Sequence, residues 1–511
     1  MIHRDGSTSI GYNGFEQTIA EEASHAQYSR SPGEIQPPDR RLDQEIDSFL
    51  APYMAALPDA RLRQTLRFLL PGVLAARSPH LAKAAAHAPH WVGRTWALTK
   101  QFYTLLHSSQ FSHRDWLRVL YAQAVAQVNQ LAPSQRLLVA IDPLNLEKAY
   151  ARKIEGISKV LKKTPPGLPL NSKATPKNEG RLTWGYPCIA AVALNTAQPA
   201  LLYHRLFSYV SADFDSQPKE WLLAMRHLRQ LLPGRKITIV SDAEGDDQKL
   251  WLEAVALDLE WITRATSKRI IEVYRPRQGD WQEKELQSWI QSLPGRAKGI
   301  HSFTHAGRTI PVRVTLDWFR FRLPDRSVQG WVVVARTAPL GPHKMEDFWL
   351  DETPLVLVVI NRPVWRAQDA WKVYRQWAQR GKIEPIYRFQ QEDGLDVEVI
   401  LLHKLEQFRR MLLVILMAAF FVIQLEHWWS PVLIQWIRAV GSSVVGTAIS
   451  RGTLSALVGA AAHPRRRGAA RIDPHPASAG AVSAQIPLPW VVPQPMGPGG
   501  SWIASCGDTC P

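Results

Sequence analysis

The sequence predicts an α/β chain: a mixed sheet with helices, interrupted by a β-rich insertion and preceded by a helical region. Three observations predict it. Leu137-Leu138-Val139-Ala140-Ile141-Asp142 is an apolar, β-branched run ending on a carboxylate, the pattern of a buried strand. Lys236-Ile237-Thr238-Ile239-Val240-Ser241-Asp242 repeats the device about a hundred residues later. Around them the patterns run β-β-β-α-β-α-β, with three successive strands fitting an antiparallel meander and the later alternation fitting a parallel part.

Taken in order, residues 1–44 are polar and rich in Ser, Gly, Pro and charge, so they read as a flexible arm. Residues 45–130 read as helices, with Leu62, Leu66, Leu69 and Val73 on one apolar face and Ser78-Pro79 as a helix start. Arg77, Lys83, Arg94 and Lys100 make this region either a DNA-binding helical unit or a small bundle with a solvated basic face. A first core part spans 131–265: the strand ending at Asp142, a polar loop from Glu147 to Arg181, then strands over 188–194 and 200–207. A helix over 218–232, the strand ending before Asp242, a helix over 246–257 and a strand over 259–264 complete it. Residues 266–355 alternate strand-like runs with turns at Pro294-Gly295 and Pro324-Asp325, a β-rich insertion. A second core part, 356–435, opens on the apolar run Pro354–Ile360 and continues with helices. Residues 436–511 are Gly-, Ala- and Pro-rich with Arg465-Arg466-Arg467, and are expected to be mostly disordered.

The chain of 511 residues implies two to four domains, and 46% hydrophobic residues suffice for packed cores. Its net charge of +16 favours a polyanionic partner, nucleic acid before membrane. Of three cysteines, Cys188 falls in a predicted strand as a small core residue, while Cys506 and Cys510 lack the partners of a zinc site. No N-terminal secretion signal is visible, and a cytoplasmic location is expected. The apolar run Met411–Leu425 is shorter than the ~20 residues a bilayer needs, so it reads as a buried helix and not a membrane span.

Burying a carboxylate is costly unless a cation offsets its charge, and a divalent metal does this well. Asp142 and Asp242, brought together in one sheet, are the beginning of a metal site for phosphoryl-transfer chemistry. Where the chain returns from the insertion it reads YRQWAQRGKIEPIYR, residues 374–388. With VAIDPLNLEK around Asp142 and ITIVSDAEGDD around Asp242, this segment resembles DDE transposases of bacterial insertion sequences, of the insertion-sequence-four type with a β-strand insertion. The layout of the ribonuclease-H-like fold, with acidic residues on its first and fourth strands, is similar to the order read here.

The resemblance implies that Asp142, Asp242 and Glu384 hold two Mg²⁺ ions (or Mn²⁺), which activate a water and then the freed 3′-OH for strand cleavage and transfer. It implies double-stranded DNA partners, terminal inverted repeats and target DNA, bridged by a homodimer associated with the nucleoid. Arg380 and Arg388 would contact phosphates near the cut. The loop carrying Lys159, Lys162, Lys163, Lys173, Lys177 and Arg181 would line the DNA path, though such a charge run is also what a solvated loop looks like.

Rival readings stand beside these. An Asp at a strand end commonly caps a turn or helix, and Asp246 suits a helix N-cap. Trp377 and Gln391 depart from the family's signature, and Pro385 would put Glu384 at a helix start. These departures favour a second reading, a catalytically impaired remnant that binds DNA without cutting it. A membrane-associated basic protein anchored through 411–425 is a third.

Overall fold

The computed structural model describes residues 38–428, save 111, 150, 163–181, 267, 306–307, 341–353, 384–385, 388–394 and 396. Residues 1–37 of the expected N-terminal arm and the whole of the expected tail, 436–511, lie outside it; residues 38–44, expected to belong to the arm, instead open the first helix, with Leu42 buried.

The chain opens with helices α1 (Pro38–Ala55), α2 (Ala60–Ala76), α3 (Leu81–His87), α4 (Thr95–His107) and α5 (His113–Asn129). Asp59 starts α2 by accepting from the Arg61 N–H at 2.6 Å, and the predicted face Leu62, Leu66, Leu69, Val73 is buried. The start expected at Ser78-Pro79 falls two residues later, with His80 at the N-cap of α3. Ser78 instead accepts from the His80 N–H.

The described strands form one twelve-stranded sheet, in the order β2-β3-β1-β5-β6-β12-β11-β10-β7-β8, with β4 also on β3 and β9 also on β10. Its central members are β1 (Leu137–Glu147), β3 (Leu182–Ala193), β5 (Ile237–Ser241) and β6 (Glu260–Arg264). β1 runs parallel to β5 and antiparallel to β3, and β5 runs parallel to β6. The sheet is therefore mixed, as the element order predicts. β4 (Ala200–Leu206) lies beside β3, and β2 (Ser158–Leu161) pairs with its start, inside the stretch expected to be loop.

The insertion supplies β7 (Ile270–Arg275), β8 (Asp280–Glu285), β9 (Ala297–His305), β10 (Arg308–Arg322) and β11 (Gln329–Pro339), with a short helix α8 (Leu286–Gln291). These strands extend the core sheet, because β12 (Leu355–Ile360) pairs with β11 on one side and β6 on the other.

Both faces of the sheet are covered. Side chains alternate sides along a strand, and β1 divides cleanly. Leu138 and Ala140 pack with α1–α4, with α9 (Ala367–Ala378) and with α10 (Leu405–Trp428). Leu137, Val139 and Ile141 pack with α6 (Gln217–Leu231) and α7 (Gln248–Ala256). Each fully buried leucine, isoleucine or valine side chain among them contributes roughly 1.5–3 kcal/mol. By length and composition Leu405–Leu425 in α10 could cross a bilayer, but 89% of its most apolar window is buried inside the protein. Phe408 lies 5.1 Å from the Tyr186 ring of β3 and Phe421 5.2 Å from Phe49 of α1, which accounts for a helix whose middle, residues 411–423, is apolar all round.

Candidate active site

β1 and β5 pair in parallel from Leu137↔Ile237 to Ala140↔Val240. The same register carried two residues further sets Asp142 beside Asp242. Both share the sheet face of Ala140 and Val240 and so point toward α9. Asp142 is not at a strand end, as the sequence suggested: β1 continues to Glu147, with Asp142 opposite Ala190 of β3. The strand persists because β3 is long enough to pair with it to the end. Pro143 is tolerated where β5 has already stopped and one side of β1 is open.

The two carboxylates converge on one cation. Arg380 reaches Asp142 Oδ1 with one guanidinium nitrogen at 3.4 Å and Asp242 Oδ2 with the other at 3.3 Å. The Arg380 side chain is 16% exposed, Asp142 16% and Asp242 31%, so the site is partly shielded from water and open at one side. Arg380 lies in a 3₁₀ turn, Gln379–Ile383, directly after α9. Two aromatic residues hold that turn in place. Trp377 donates its indole N–H to the Ser241 carbonyl at 3.0 Å, and Tyr387 donates its hydroxyl to the Asp142 carbonyl at 2.9 Å. Burial, with the Asp142 charge adding to it, raises the Tyr387 pKa well above its ordinary value, so it stays a donor.

Asp242 is fixed independently. Its Oδ1 accepts from the Ala243 N–H at 2.9 Å, and its carbonyl accepts from the Thr263 hydroxyl at 2.8 Å. Gly245 follows in a 3₁₀ turn where an added Cβ would lie 2.2 Å from Ser241 Oγ, so only glycine fits this return. Of the neighbouring acids, Asp246 is not the helix cap that the sequence suggests. It pairs with Arg269 at 2.8 Å and accepts from the Thr266 N–H and hydroxyl, while Asp247 caps α7. Glu244 lies close enough to Asp242 for its pKa to rise, by burial first and by the Asp242 charge second.

Glu244 also lines a groove of about 560 Å³ beside the ends of β1 and β5, with Asn145, Lys159, Tyr209 and Gln217. Lys159 sits on β2 with its ammonium 4.2 Å from the Trp184 ring centroid. Lys162 is exposed just past β2. Glu384, Arg388, Lys163, Lys173, Lys177 and Arg181 lie outside the described residues. The structure thus brings together Asp142, Asp242 and Arg380, while Lys159 lines the groove that Glu244 also lines.

Sequence reasoning assigned no role to Tyr387 or Lys148, although both stood in the quoted motifs. Lys148 is buried and donates to the carbonyls of Glu398, Ile400 and Val397, at 2.7 Å for Ile400, which pins the segment after the third motif to the end of β1. A Lys closing an apolar strand was the available signal.

The oxygen donors of Asp142 and Asp242 suit a hard divalent cation. The Arg380 guanidinium, which both carboxylates contact, stands where such a cation's charge would be. Among the described residues no group of three or more His, Cys, Asp or Glu side chains forms a ligand set.

No protein-family model matches the chain, and no curated protein matches it. Among solved structures it is similar to a piggyBac transposase synaptic complex with hairpin DNA, at TM-score 0.35 and 9% identity, over 83% of this chain and 77% of that one. So distant a likeness is compatible with the mixed sheet seen here and carries nothing about residues or chemistry.

Proposed function

We propose that the protein is a DDE-type transposase that cleaves DNA phosphodiester bonds at element ends and transfers the strand to target DNA. One observation carries the reading: two carboxylates, one on β1 and one directly after the parallel strand β5, both contact Arg380 at 3.3–3.4 Å. Like charges this close are unfavourable unless a cation lies between them. Asp142 and Asp242 would hold Mg²⁺ or Mn²⁺, with Glu384 as the proposed third ligand. The metal, when bound, would supply an activated oxygen nucleophile and charge neutralisation at the phosphate.

The chain's own groups do the rest. Trp377 and Tyr387 keep the Arg380 turn against both acidic strands, so the carboxylates meet a prepared geometry. Arg380, once released from the carboxylates, offers a guanidinium fork to the phosphate. Lys159, in the groove that Glu244 also lines, would add a contact to the DNA backbone. The net charge of +16 favours association with the DNA polyanion. The expected partners are terminal inverted repeats and target DNA, bridged by a homodimer in the cytoplasm.

A second reading has an observation of its own. Arg380 satisfies both carboxylates internally, as it would in a remnant that binds DNA without cutting. The test is cleavage of a labelled element-end duplex in Mg²⁺ or Mn²⁺. Nicking that is lost in Asp142→Asn supports the transposase; tight binding with no nicking in either metal supports the remnant and overturns the enzyme.

A further inference from the structure

A second charged cavity lies at the edge of the sheet, away from the Asp pair. β4 is an edge strand there, and α5 seals it with one side chain. The Tyr121 hydroxyl accepts from the His204 N–H at 2.9 Å and donates to the His204 carbonyl at 3.3 Å. His204 lies opposite Ala190, which lies opposite Asp142. Two strand spacings, roughly 10 Å in all, therefore separate its row from the candidate active site. Beside this seal, the start of α10 and the start of α5 enclose a cavity of about 340 Å³.

The charge of this cavity is lopsided. Arg114, Arg118, Arg205 and Arg409 line it, with Asp213 as the acid among its lining residues. Arg205 is satisfied by Glu220 at 2.6 Å and Asp213 at 3.3 Å, and Arg118 by Asp115 at 2.9 Å. Among the described residues, Arg409 and Arg114 have no carboxylate within ion-pair distance. Arg409 donates to the Leu206 carbonyl at 3.2 Å, and Arg114 is exposed. Burial draws the Arg409 pKa below that of a free guanidinium; Glu406 and Asp213 oppose this from a distance, and Arg205 and Arg114 reinforce it. A guanidinium drawn into a cavity with no carboxylate in direct contact is a group that an anion would stabilise. Aromatic surface completes the cavity, since the His227 ring sits 4.9 Å from Tyr121 and 5.2 Å from Tyr203 with its Nε2 unpartnered.

We propose that this cavity is a binding site for a phosphate group, held by the Arg409 and Arg114 guanidiniums against the Tyr121–His227–Tyr203 wall. The phosphate is either one of a bound DNA backbone or that of a free phosphorylated small molecule; the chemistry of capture is the same. The site does not depend on the transposase reading, because it shares no residue with Asp142, Asp242 or Arg380.

The test is calorimetric titration of the full chain with inorganic phosphate in a phosphate-free buffer. Arg114→Gln, at an exposed position, and Arg409→Gln are each expected to weaken binding roughly ten- to a hundredfold, the worth of a charge-assisted hydrogen bond. Arg409→Lys should recover part of it, since the charge stays and the fork is lost. A salt series with duplex DNA then separates the sources. If the phosphate belongs to DNA, Arg114→Gln lowers the slope of log affinity against log salt by about 0.9. If it belongs to a small molecule, that slope is unchanged while the calorimetric loss persists. No phosphate uptake by the unmodified chain, or uptake unchanged in both glutamine variants, overturns the proposal.

Discussion

Two acidic sites in this sheet look alike in composition and differ in burial. In the insertion, Asp317 of β10 is fully buried. It accepts from the Gly295 N–H at 2.8 Å and the Arg296 N–H at 3.1 Å, and it pairs with Arg336 at 3.0 Å and Arg296 at 3.5 Å. That is one carboxylate with two guanidiniums and two amides. Between β1 and β5 two partly exposed carboxylates both contact Arg380. The saturated site can only hold the fold together. The second is open to water at one side, where a ligand from solution can reach the carboxylates.

The sharpest way to break this contrast is to neutralise one acid at each site. Asp142→Asn or Asp242→Asn should reduce DNA cleavage to below about one-hundredth of the original. Stability should change by less than about 1 kcal/mol, because removing one of two neighbouring like charges relieves their repulsion while it weakens the contact to Arg380. Cleavage surviving in either variant would remove the carboxylates from the chemistry. Asp317→Asn should do the reverse. It leaves Arg296 and Arg336 without their counter-charge, at a cost of about 3–5 kcal/mol in urea unfolding, while the folded fraction still cuts.

Arg380→Gln sharpens the comparison from the cation's side. Without divalent metal the two carboxylates lose their shared partner, and stability should fall by roughly 1–2 kcal/mol. Added Mg²⁺ should then raise the melting temperature of the variant more than that of the original chain, because binding to the folded state alone stabilises by mass action. Equal shifts in both proteins would mean that Arg380 and the metal do not compete for one place.

What the sequence revealed follows the same division between local and non-local physics. The β-branched runs before Asp142 and Asp242 announced their strands, because apolar continuity and β propensity are local properties. What brings the two acids together is the parallel register of β1 and β5, which pairs Leu137 with Ile237. Strand partners are not local. The turns of the insertion showed that it was β-rich, but nothing in 266–355 announced that β12 would join it to β6 and continue the core sheet. β2 escaped notice because four residues amid lysines carry no hydrophobic pattern; pairing with β3 makes them a strand. Arg380 was read as a phosphate contact from its place in a motif. Its position across two carboxylates depends on Trp377 and Tyr387 finding backbone carbonyls far away in sequence.

The smallest expected effect concerns a carboxylate intermediate in its surroundings. Glu406, at the start of α10, has a side chain 39% exposed and pairs with His113 at 2.8 Å and Arg410 at 3.3 Å. Burial pushes its pKa up, but the His113 hydrogen bonds and charge, helped by Arg410, outweigh this and bring it down to about 2. A depressed folded-state pKa means stability that is present above the unfolded value of about 4.3 and lost as the pH falls toward 2. Because solvent screens a side chain this exposed, the contribution should be no more than about 0.5–1 kcal/mol. Glu406→Gln should therefore unfold more easily at pH 6 by that margin, and the gap between variant and original should close between pH 4.3 and pH 2. A gap that stays constant down to pH 2.5 would show that the carboxylate's charge is not what links α10 to α5. The hydrogen bond from His113 would then account for the whole difference. Charge balance would in that case matter only where burial is deep, as at Asp317, or where two acids are forced together, as at Asp142 and Asp242.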